Sequence, residues 1–229
     1  MALSDPLPDW ERLLSAERHI QRLVPGTVLV GGTAAALHAG HRRSLDGDHV
    51  LSDLRGRFDE VLASLEAAAG WKTERVQRPV LILGQQDGIL TGIRQLRRTE
   101  PLETEQLEGL RVPTLAEMAR IKAWLLATRR TVRDYLDTVV LLERLGDAAV
   151  VPAMSRFDEI YAQLAGTSPL AEVIEALGAA APVDLASVEV ATFRGLIAPW
   201  NDWAHLVARG RHHAEQLARR LLEGGAADA

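Results

Sequence analysis

Residues 27–51 read TVLVGGTAAALHAGHRRSLDGDHVL, and the fold prediction starts from them. The first four residues form a short apolar run suited to a buried strand. The two glycines and the hydroxyl residue Thr33 then open an alanine-rich segment, which is typical of a helix. A second strand is expected from about Ser44 to Leu51. This order of strand, glycine turn, helix and strand predicts a domain that combines a mixed sheet with helices.

Gly31, Gly32 and Thr33 form a candidate phosphate-binding element. Glycines between a strand and a helix let the backbone approach a ligand closely, and the free amides at the helix start attract an anion. Thr33 adds a hydroxyl donor. The same pattern also occurs in ordinary tight turns, so the glycines alone leave both interpretations open.

Asp46 and Asp48 form a candidate metal site. Their i, i+2 spacing places two carboxylates on one face of a strand, about 6–7 Å apart along the chain. Like charges at this separation repel unless a cation or water screens them. Mg²⁺, or Mn²⁺ in its place, is commonly held by one or two carboxylates together with substrate phosphates. An exposed turn is the alternative, because Asp-Gly also favours hairpin turns. The nearby glycine pair favours the metal site.

The segment His41-Arg42-Arg43-Ser44 directly precedes the acid pair. It supplies cations and a hydroxyl group close to where phosphates would lie, so Arg42, Arg43 and Ser44 are candidate nucleotide contacts. Solvated surface is the alternative for each of them taken alone.

Composition narrows the class of protein. The chain has 229 residues, a net charge of −5 and no cysteine, which excludes disulfides, thiolate metal sites and cysteine nucleophiles. No apolar run approaches the roughly 20 residues that span a bilayer. Residues 1–10 contain two prolines and two aspartates and no basic segment, so no signal peptide is expected there. We therefore expect a cytoplasmic protein without membrane contact.

Hydrophobic periodicity divides the chain near residue 112. Before that point we expect helices at about 9–23 and 58–69, strands at 79–83 and 88–96 joined by a turn at 84–88, and a short strand at 109–112. From Pro113 onward the strand pattern disappears and helices follow one another. The expected architecture is α+β, with a sheet-and-helix core in 1–112 and an all-helical part in 113–229.

Lys122 is one of only two lysines among 26 basic residues. A capping box at Thr114–Glu117 starts its helix, and Lys122 projects from the middle of the apolar stripe. Its stem could lie on apolar surface while the ammonium reaches water. We favour a partly buried cation with an anionic partner, able to bind a triphosphate as a point charge or, at a lowered pKa, to accept a proton.

Asp134 and Asp137 form a second acid pair. A capping box that begins at Thr131 explains Asp134 structurally. Asp137 lies on the side of its helix that should face the core, where a carboxylate needs a cation, and Lys122 or Arg133 could supply one.

Three spaced elements together resemble the AbiEii/AbiGii nucleotidyltransferase toxin family, which includes the MenT toxins. They are Val30-Gly-Gly-Thr-Ala-Ala-Ala-Leu-His38, His41-Arg-Arg-Ser-Leu-Asp-Gly-Asp48 and Lys122-Ala-(x)5-Arg129-(x)3-Arg133-Asp134-(x)2-Asp137. The similarity covers about residues 25–145. It implies a polymerase-β-like nucleotidyltransferase fold, dependence on Mg²⁺ and an NTP donor.

The resemblance also implies roles for particular residues. Gly32 and Thr33 would contact the triphosphate, Asp46 and Asp48 would hold the metal ions, and Lys122 with an aspartate of the Asp134–Asp137 stretch would complete the site. Members of the family act as toxins of toxin–antitoxin or phage-defence systems, and several add nucleotides to tRNA 3′ ends. A tRNA 3′ end is therefore the favoured acceptor, with another RNA, a protein hydroxyl or a small molecule such as an aminoglycoside as alternatives. A cognate antitoxin is a further expected partner.

One departure from the family pattern leaves an alternative open. Polymerase-β-type enzymes usually carry a third carboxylate on a neighbouring strand, and the expected strand here, Ile89–Leu96, contains none. Asp87 precedes it, and Glu100 and Glu103 follow it. Gly47 between the two aspartates is a second oddity, because glycine is a poor strand residue. A catalytically degenerate module that binds a nucleotide or a partner is the alternative function. A helical interaction protein using the helix around Trp200 and Trp203 is a third.

Overall fold

A computed structural model describes residues 9–162 and 166–227. The expectation for the start of the chain concerns mainly residues 1–8, which lie outside the described residues. The chain forms two compact units. The first comprises Met1–Leu37 and Arg43–Pro113, and the second comprises His38–Arg42 and Thr114–Ala229.

The first unit is built on a five-stranded sheet. In chain order its elements are α1 (Trp10–Leu23), β1 (Val28–Val30), α2 (Gly31–Ala39), β2 (Asp46–Leu51), α3 (Leu54–Glu66), β3 (Trp71–Gln77), β4 (Leu81–Gln86), β5 (Ile89–Gln95), β6 (Thr104–Leu107) and β7 (Leu110–Pro113). The sheet order is β1-β2-β5-β4-β3, and β6 pairs with β7 separately. Strands β2 and β5 are parallel, whereas the other pairs are antiparallel. Because β2 has β1 on one side and β5 on the other, it is an interior strand of the sheet.

The core of this unit holds β2 against α1. Ile20 of α1 and Val24, which directly follows the helix, pack with Leu51 of β2, Ile82 of β4 and Ile93 of β5, all of them buried. Burying each such side chain contributes about 1.5–3 kcal/mol. This packing covers one face of the sheet and leaves the other face of β2 available for polar side chains.

All regular elements of the second unit are helices among its described residues. Its elements are α4 (Leu115–Arg129), α5 (Val132–Leu145), α6 (Asp147–Met154), α7 (Phe157–Ile160), α8 (Pro169–Ala179) and α9 (Trp203–Ala227), with one 3-10 turn (Val190–Thr192). Thr114 and Thr131 are the N-caps of α4 and α5, as predicted: the Thr114 hydroxyl accepts a hydrogen bond from the amide of Glu117, and the Thr131 hydroxyl accepts one from the amide of Asp134. No helix in the described part of the chain combines the length and apolar character needed to cross a membrane.

The predicted α+β class and the helical C-terminal part are confirmed. Several element boundaries were wrong. The β4–β5 turn lies at Asp87-Gly88, and α3 begins at Leu54 rather than Phe58. The sequence did not predict β3 (Trp71–Gln77), because this edge strand is largely exposed and its side chains are mostly polar.

Candidate functional site

The alternation of β2 separates its residues onto two faces of the sheet. Gly47, His49 and Leu51 are buried on the α1 side. Asp46 is exposed, and the side chain of Asp48 is 38% exposed. The predicted i, i+2 spacing therefore places both carboxylates on the accessible face of a strand, as the metal-site hypothesis requires.

The glycine turn lies directly beside this acid pair. Val30 of β1 is the register partner of Asp48, and the chain turns into α2 at the next residue. Gly31 adopts a φ of 72°, and a Cβ atom at this position would lie only 2.8 Å from Asp48 Oδ2. The carboxylate of Asp48 thus lies against backbone at the start of α2, in a space that only glycine leaves open.

Two hydroxyl groups hold Asp46. The hydroxyl of Thr33 donates to the Asp46 carbonyl oxygen at 2.5 Å, and the hydroxyl of Ser44 donates to Asp46 Oδ1 at 3.0 Å. Thr33 is 1% exposed. Both residues were predicted to contact nucleotide. The contacts seen here position Asp46, and a direct contact with nucleotide stays a prediction.

Arg94 is the site residue that the sequence prediction missed. Its Nε lies 3.6 Å from Asp48 Oδ1, and the Arg94 side chain is half exposed. Arg94 is the register partner of Val50, just as Leu90 and Gly92 are the partners of Asp46 and Asp48. The register between β2 and β5 would have indicated Arg94, but a register depends on the pairing of two strands and cannot be inferred from the sequence of either strand alone.

The donor set of the acid pair fits a hard divalent cation. Among the described residues, Asp46 accepts one hydrogen bond to its carboxylate and Asp48 has one arginine at ion-pair distance. Most carboxylate lone pairs therefore have no described protein partner and face the accessible side of the sheet. Oxygen ligands of this kind suit Mg²⁺ or Mn²⁺, whereas imidazole and thiolate sites suit softer ions.

The register of β5 shows which of its residues share a face of the sheet with the two aspartates. The positions that share a face with the two aspartates are Leu90, Gly92 and Arg94, so this face of β5 carries a cation and no carboxylate. Asp87 lies in the β4–β5 turn, where its carboxylate accepts a hydrogen bond from Gln86.

Within the second unit, Asp137 is the centre of a buried ion cluster. Lys122 Nζ lies 2.8 Å from Asp137 Oδ2 and 3.9 Å from Asp134 Oδ1. Arg42 donates from Nε to Oδ1 and from Nη2 to Oδ2, both at 2.8 Å. His41 Nε2 lies 2.8 Å from Oδ1. All five residues are buried, so these charges interact in a medium that screens them poorly.

The electrostatics of Asp137 are a balance of opposed effects. Burial alone would raise the pKa of its carboxyl group, but Lys122, Arg42 and the hydrogen bond with His41 together hold that pKa well below its usual range. Asp137 is therefore ionised in the folded protein.

The cation partner that the sequence analysis expected for Asp137 is Lys122 rather than Arg133. Arg133 is exposed, and its guanidinium lies over the ring of Phe193 at 5.8 Å. Arg42, predicted as a nucleotide contact, instead forms a two-point contact with Asp137. Arg43, predicted for the same role, is exposed and lies over the ring of Trp10. Roles for these cations toward a nucleotide stay predictions.

Comparison with known proteins establishes the fold. No protein-family model and no curated protein matches the chain. Among solved structures, JHP933 from Helicobacter pylori is 16% identical with a TM-score of 0.55, covering 97% of each chain. A candidate nucleotidyltransferase from H. pylori is 17% identical with a TM-score of 0.54, covering 96% of this chain and 98% of the other. The chain therefore has a nucleotidyltransferase-like fold.

Proposed function

We propose that this chain is a divalent-metal-dependent nucleotidyltransferase that moves a nucleoside monophosphate from an NTP onto an acceptor. One observation carries the proposal. Asp46 and Asp48 point from an interior strand to the accessible face of the sheet, directly beside the glycine start of α2. Carboxylates for a metal ion and amides for a phosphate thus lie in one place.

The acid pair would hold the metal. Asp46 and Asp48 supply the oxygen ligands, while Thr33 and Ser44 limit the movement of Asp46. When bound, the ion would offset the negative charge of the triphosphate and activate the attacking oxygen. The protein's own part is mainly positioning and charge neutralisation, which is the usual strategy for phosphoryl-type transfer.

The start of α2 would bind the phosphates. The first amides of a helix have no partner within it, and the helix dipole adds partial positive charge there. Gly31 and Gly32 are only partly buried, so their backbone is accessible to a ligand. Arg43 is exposed four residues beyond the end of α2 and adds a cation to the same unit.

Lys122, Asp134 and Asp137 enter the proposal through the family resemblance. They form a buried ion cluster in their own unit, which keeps Asp137 ionised. The resemblance gives Lys122 and one of the two aspartates a part in the active site.

The acceptor and the biological role also rest on the resemblance. We propose an RNA acceptor, most simply a tRNA 3′ end, and a cytoplasmic toxin of a toxin–antitoxin or phage-defence system with its own antitoxin. Arg129 and Arg133 are exposed near the α4–α5 turn and provide cations of the kind that contact an RNA backbone.

A label-transfer assay tests the proposal. Purified protein is incubated with Mg²⁺ and each α-labelled NTP, with and without total tRNA. We expect label on an acceptor, and a loss of at least about 10³-fold in Asp46→Asn, because several kcal/mol of charge stabilisation depend on the metal ligand. Asp53→Asn, an exposed aspartate of the same unit, is the matched control and should keep full activity.

A specific observation favours the alternative function. Leu90, Gly92 and Arg94 put no carboxylate on the aspartate face of β5, and Arg94 lies close to Asp48. If the protein binds NTP and Mg²⁺ but labels no acceptor in any fraction of cellular RNA, protein or small molecules, it is a nucleotide-binding module and the enzyme proposal is wrong.

A further inference from the structure

Glu17 is a completely buried carboxylate that the proposed reaction does not use. It lies on α1 among the buried apolar residues Leu13, Leu14 and Ile20. A charged group is costly in such surroundings unless it is paired and hydrogen-bonded. The position of Glu17 therefore needs an explanation beyond packing, because an apolar residue would fill the same space at lower cost.

Two partners from different strands converge on one oxygen of Glu17. His49 Nε2 of β2 lies 2.6 Å from Oε2, and the hydroxyl of Thr91 on β5 donates to the same atom at 2.8 Å. The other oxygen, Oε1, has no hydrogen-bond partner among the described residues. His49 Nδ1 is likewise without one in the described part of the chain. Buried polar atoms left unsatisfied in this way are rare in native proteins and require a specific reason.

The location of the Glu17 carboxylate supplies that reason. A Cβ atom placed on Gly47 would overlap Cδ and both oxygens of Glu17. Gly47 joins Asp46 to Asp48, and its register partner is Thr91. Glu17 therefore fills the space directly behind the backbone between the two aspartates, on the opposite face of the sheet. This explains why a glycine occupies the middle of a strand, where it is otherwise unfavourable.

We infer that Glu17, His49 and Thr91 form a positioning cluster that holds the backbone of β2 at Gly47 and so sets the separation of the Asp46 and Asp48 carboxylates. The inference rests on the proposed function, in which those carboxylates hold a metal ion. The cluster joins α1, β2 and β5 at one point behind the ligands. Groups behind a metal site commonly orient its ligands and tune its affinity.

The test measures Mn²⁺ affinity by calorimetric titration, with urea unfolding of each variant measured in parallel. Glu17→Gln keeps the shape of the side chain but replaces an acceptor oxygen with an amide, and we expect it to weaken Mn²⁺ binding about tenfold. Glu11→Gln, on an exposed position of the same helix, is the matched control and should bind like the wild type.

A double-variant cycle tests the contact with Gly47 directly. Gly47→Ala should weaken Mn²⁺ binding by about tenfold or more, because the added methyl group displaces either Glu17 or the strand. Glu17→Ala makes room for that methyl group, so the double variant should bind Mn²⁺ more tightly than Gly47→Ala alone. If Gly47→Ala does not fold, the Mn²⁺ affinity of folded Glu17→Gln decides the inference.

The outcomes distinguish this inference from the proposed function. A purely structural cluster would lower urea stability but leave the Mn²⁺ affinity of folded Glu17→Gln and of Gly47→Ala unchanged, and that result overturns the inference. If the wild type binds Mn²⁺ while folded Glu17→Gln and Gly47→Ala bind it weakly, the inference stands even when no acceptor is labelled. If the wild type binds no Mn²⁺ with or without NTP, the inference and the proposed function both fail.

Discussion

The two aspartate pairs of this chain have the same chemistry but opposite surroundings. Asp46 and Asp48 lie on the accessible face of a strand, with one hydroxyl on the Asp46 carboxylate and one arginine at 3.6 Å from Asp48. Asp137 is completely buried, and both of its oxygens are occupied by Lys122, Arg42 and His41. The carboxylate of Asp134 accepts a hydrogen bond from the hydroxyl of Thr131, the N-cap residue of α5.

The difference shows that the number of hydrogen-bond and ion-pair partners of a carboxylate indicates whether it can bind a ligand or instead stabilises the fold. A carboxylate whose lone pairs are already used by buried cations gains little from a further cation and loses much when it is removed. A carboxylate with free lone pairs on an open face gains a ligand at low cost.

The largest expected effect is on stability. Asp137→Asn leaves Lys122 and Arg42 as buried cations without a full counter-charge, so we expect the free energy of unfolding to fall by about 3–5 kcal/mol. The same change at exposed Asp46 should alter it by less than about 0.5 kcal/mol. Urea unfolding of both variants measures the difference. Equal losses in the two would show that Asp137 is not the structural centre described above.

Lowering the pH should reduce the difference in the free energy of unfolding between the wild type and Asp137→Asn. The pKa of the Asp137 carboxyl is well below its usual range in the folded state, so the unfolded chain binds this proton more readily. The stabilisation is complete above the unfolded pKa of about 4 and is lost as pH falls through the folded pKa, at no more than about 1.4 kcal/mol per pH unit. Urea unfolding at pH 6, 4 and 3 measures it, and a gap that stays constant over this range would contradict the assignment.

Gly31→Ala should have an intermediate effect on stability and should also lower activity, because the substitution lies beside the acid pair. The added methyl group would lie 2.8 Å from Asp48 Oδ2, and residue 31 has a positive φ, so strain of about 1–3 kcal/mol is expected. Gly56→Ala is a suitable control, because nothing lies within 4 Å of a Cβ atom there. The free energy of unfolding in urea and the label-transfer activity should both be lower for Gly31→Ala. Equal stability and activity of the two variants would show that the start of α2 can accommodate a methyl group.

The smallest expected effect is at Arg94. Its cation lies near Asp48 but is half exposed, so Arg94→Gln should change stability by less than about 1 kcal/mol. Removing a positive charge beside the acid pair should raise Mn²⁺ affinity about two- to threefold, more at low salt than at high salt. Calorimetry at two ionic strengths measures this, and weaker binding in Arg94→Gln would mean that Arg94 supports the site instead of competing with the metal.

Local patterns predicted the parts of the fold that a short segment can specify. The spacing of Asp46 and Asp48 gave their common face, and the hydroxyl residues Thr114 and Thr131 gave the starts of α4 and α5. Strand β3 was missed because an exposed edge strand lacks an apolar stripe, and its pairing with β4 is set by tertiary contacts.

Local sequence patterns could not predict contacts between residues far apart in the chain, although one such contact had a detectable signal in the sequence. Arg42 and Asp137 are 95 residues apart in sequence, and no periodicity within either segment indicates their contact. Glu17 is different, because it lies four residues after Leu13 and three before Ile20, which places an acid on the apolar stripe of α1. That position, read together with the unexpected Gly47, was the available evidence for a polar cluster behind β2.

Electron paramagnetic resonance of Mn²⁺ bound in the presence of a non-hydrolysable NTP analogue shows whether Asp46 and Asp48 hold the metal ion. We predict that the wild type and Asp53→Asn bind the ion, whereas the folded double variant Asp46→Asn with Asp48→Asn binds it at least about a hundredfold more weakly. Undiminished Mn²⁺ binding in the double variant would show that the acid pair beside the glycine turn is not the metal site.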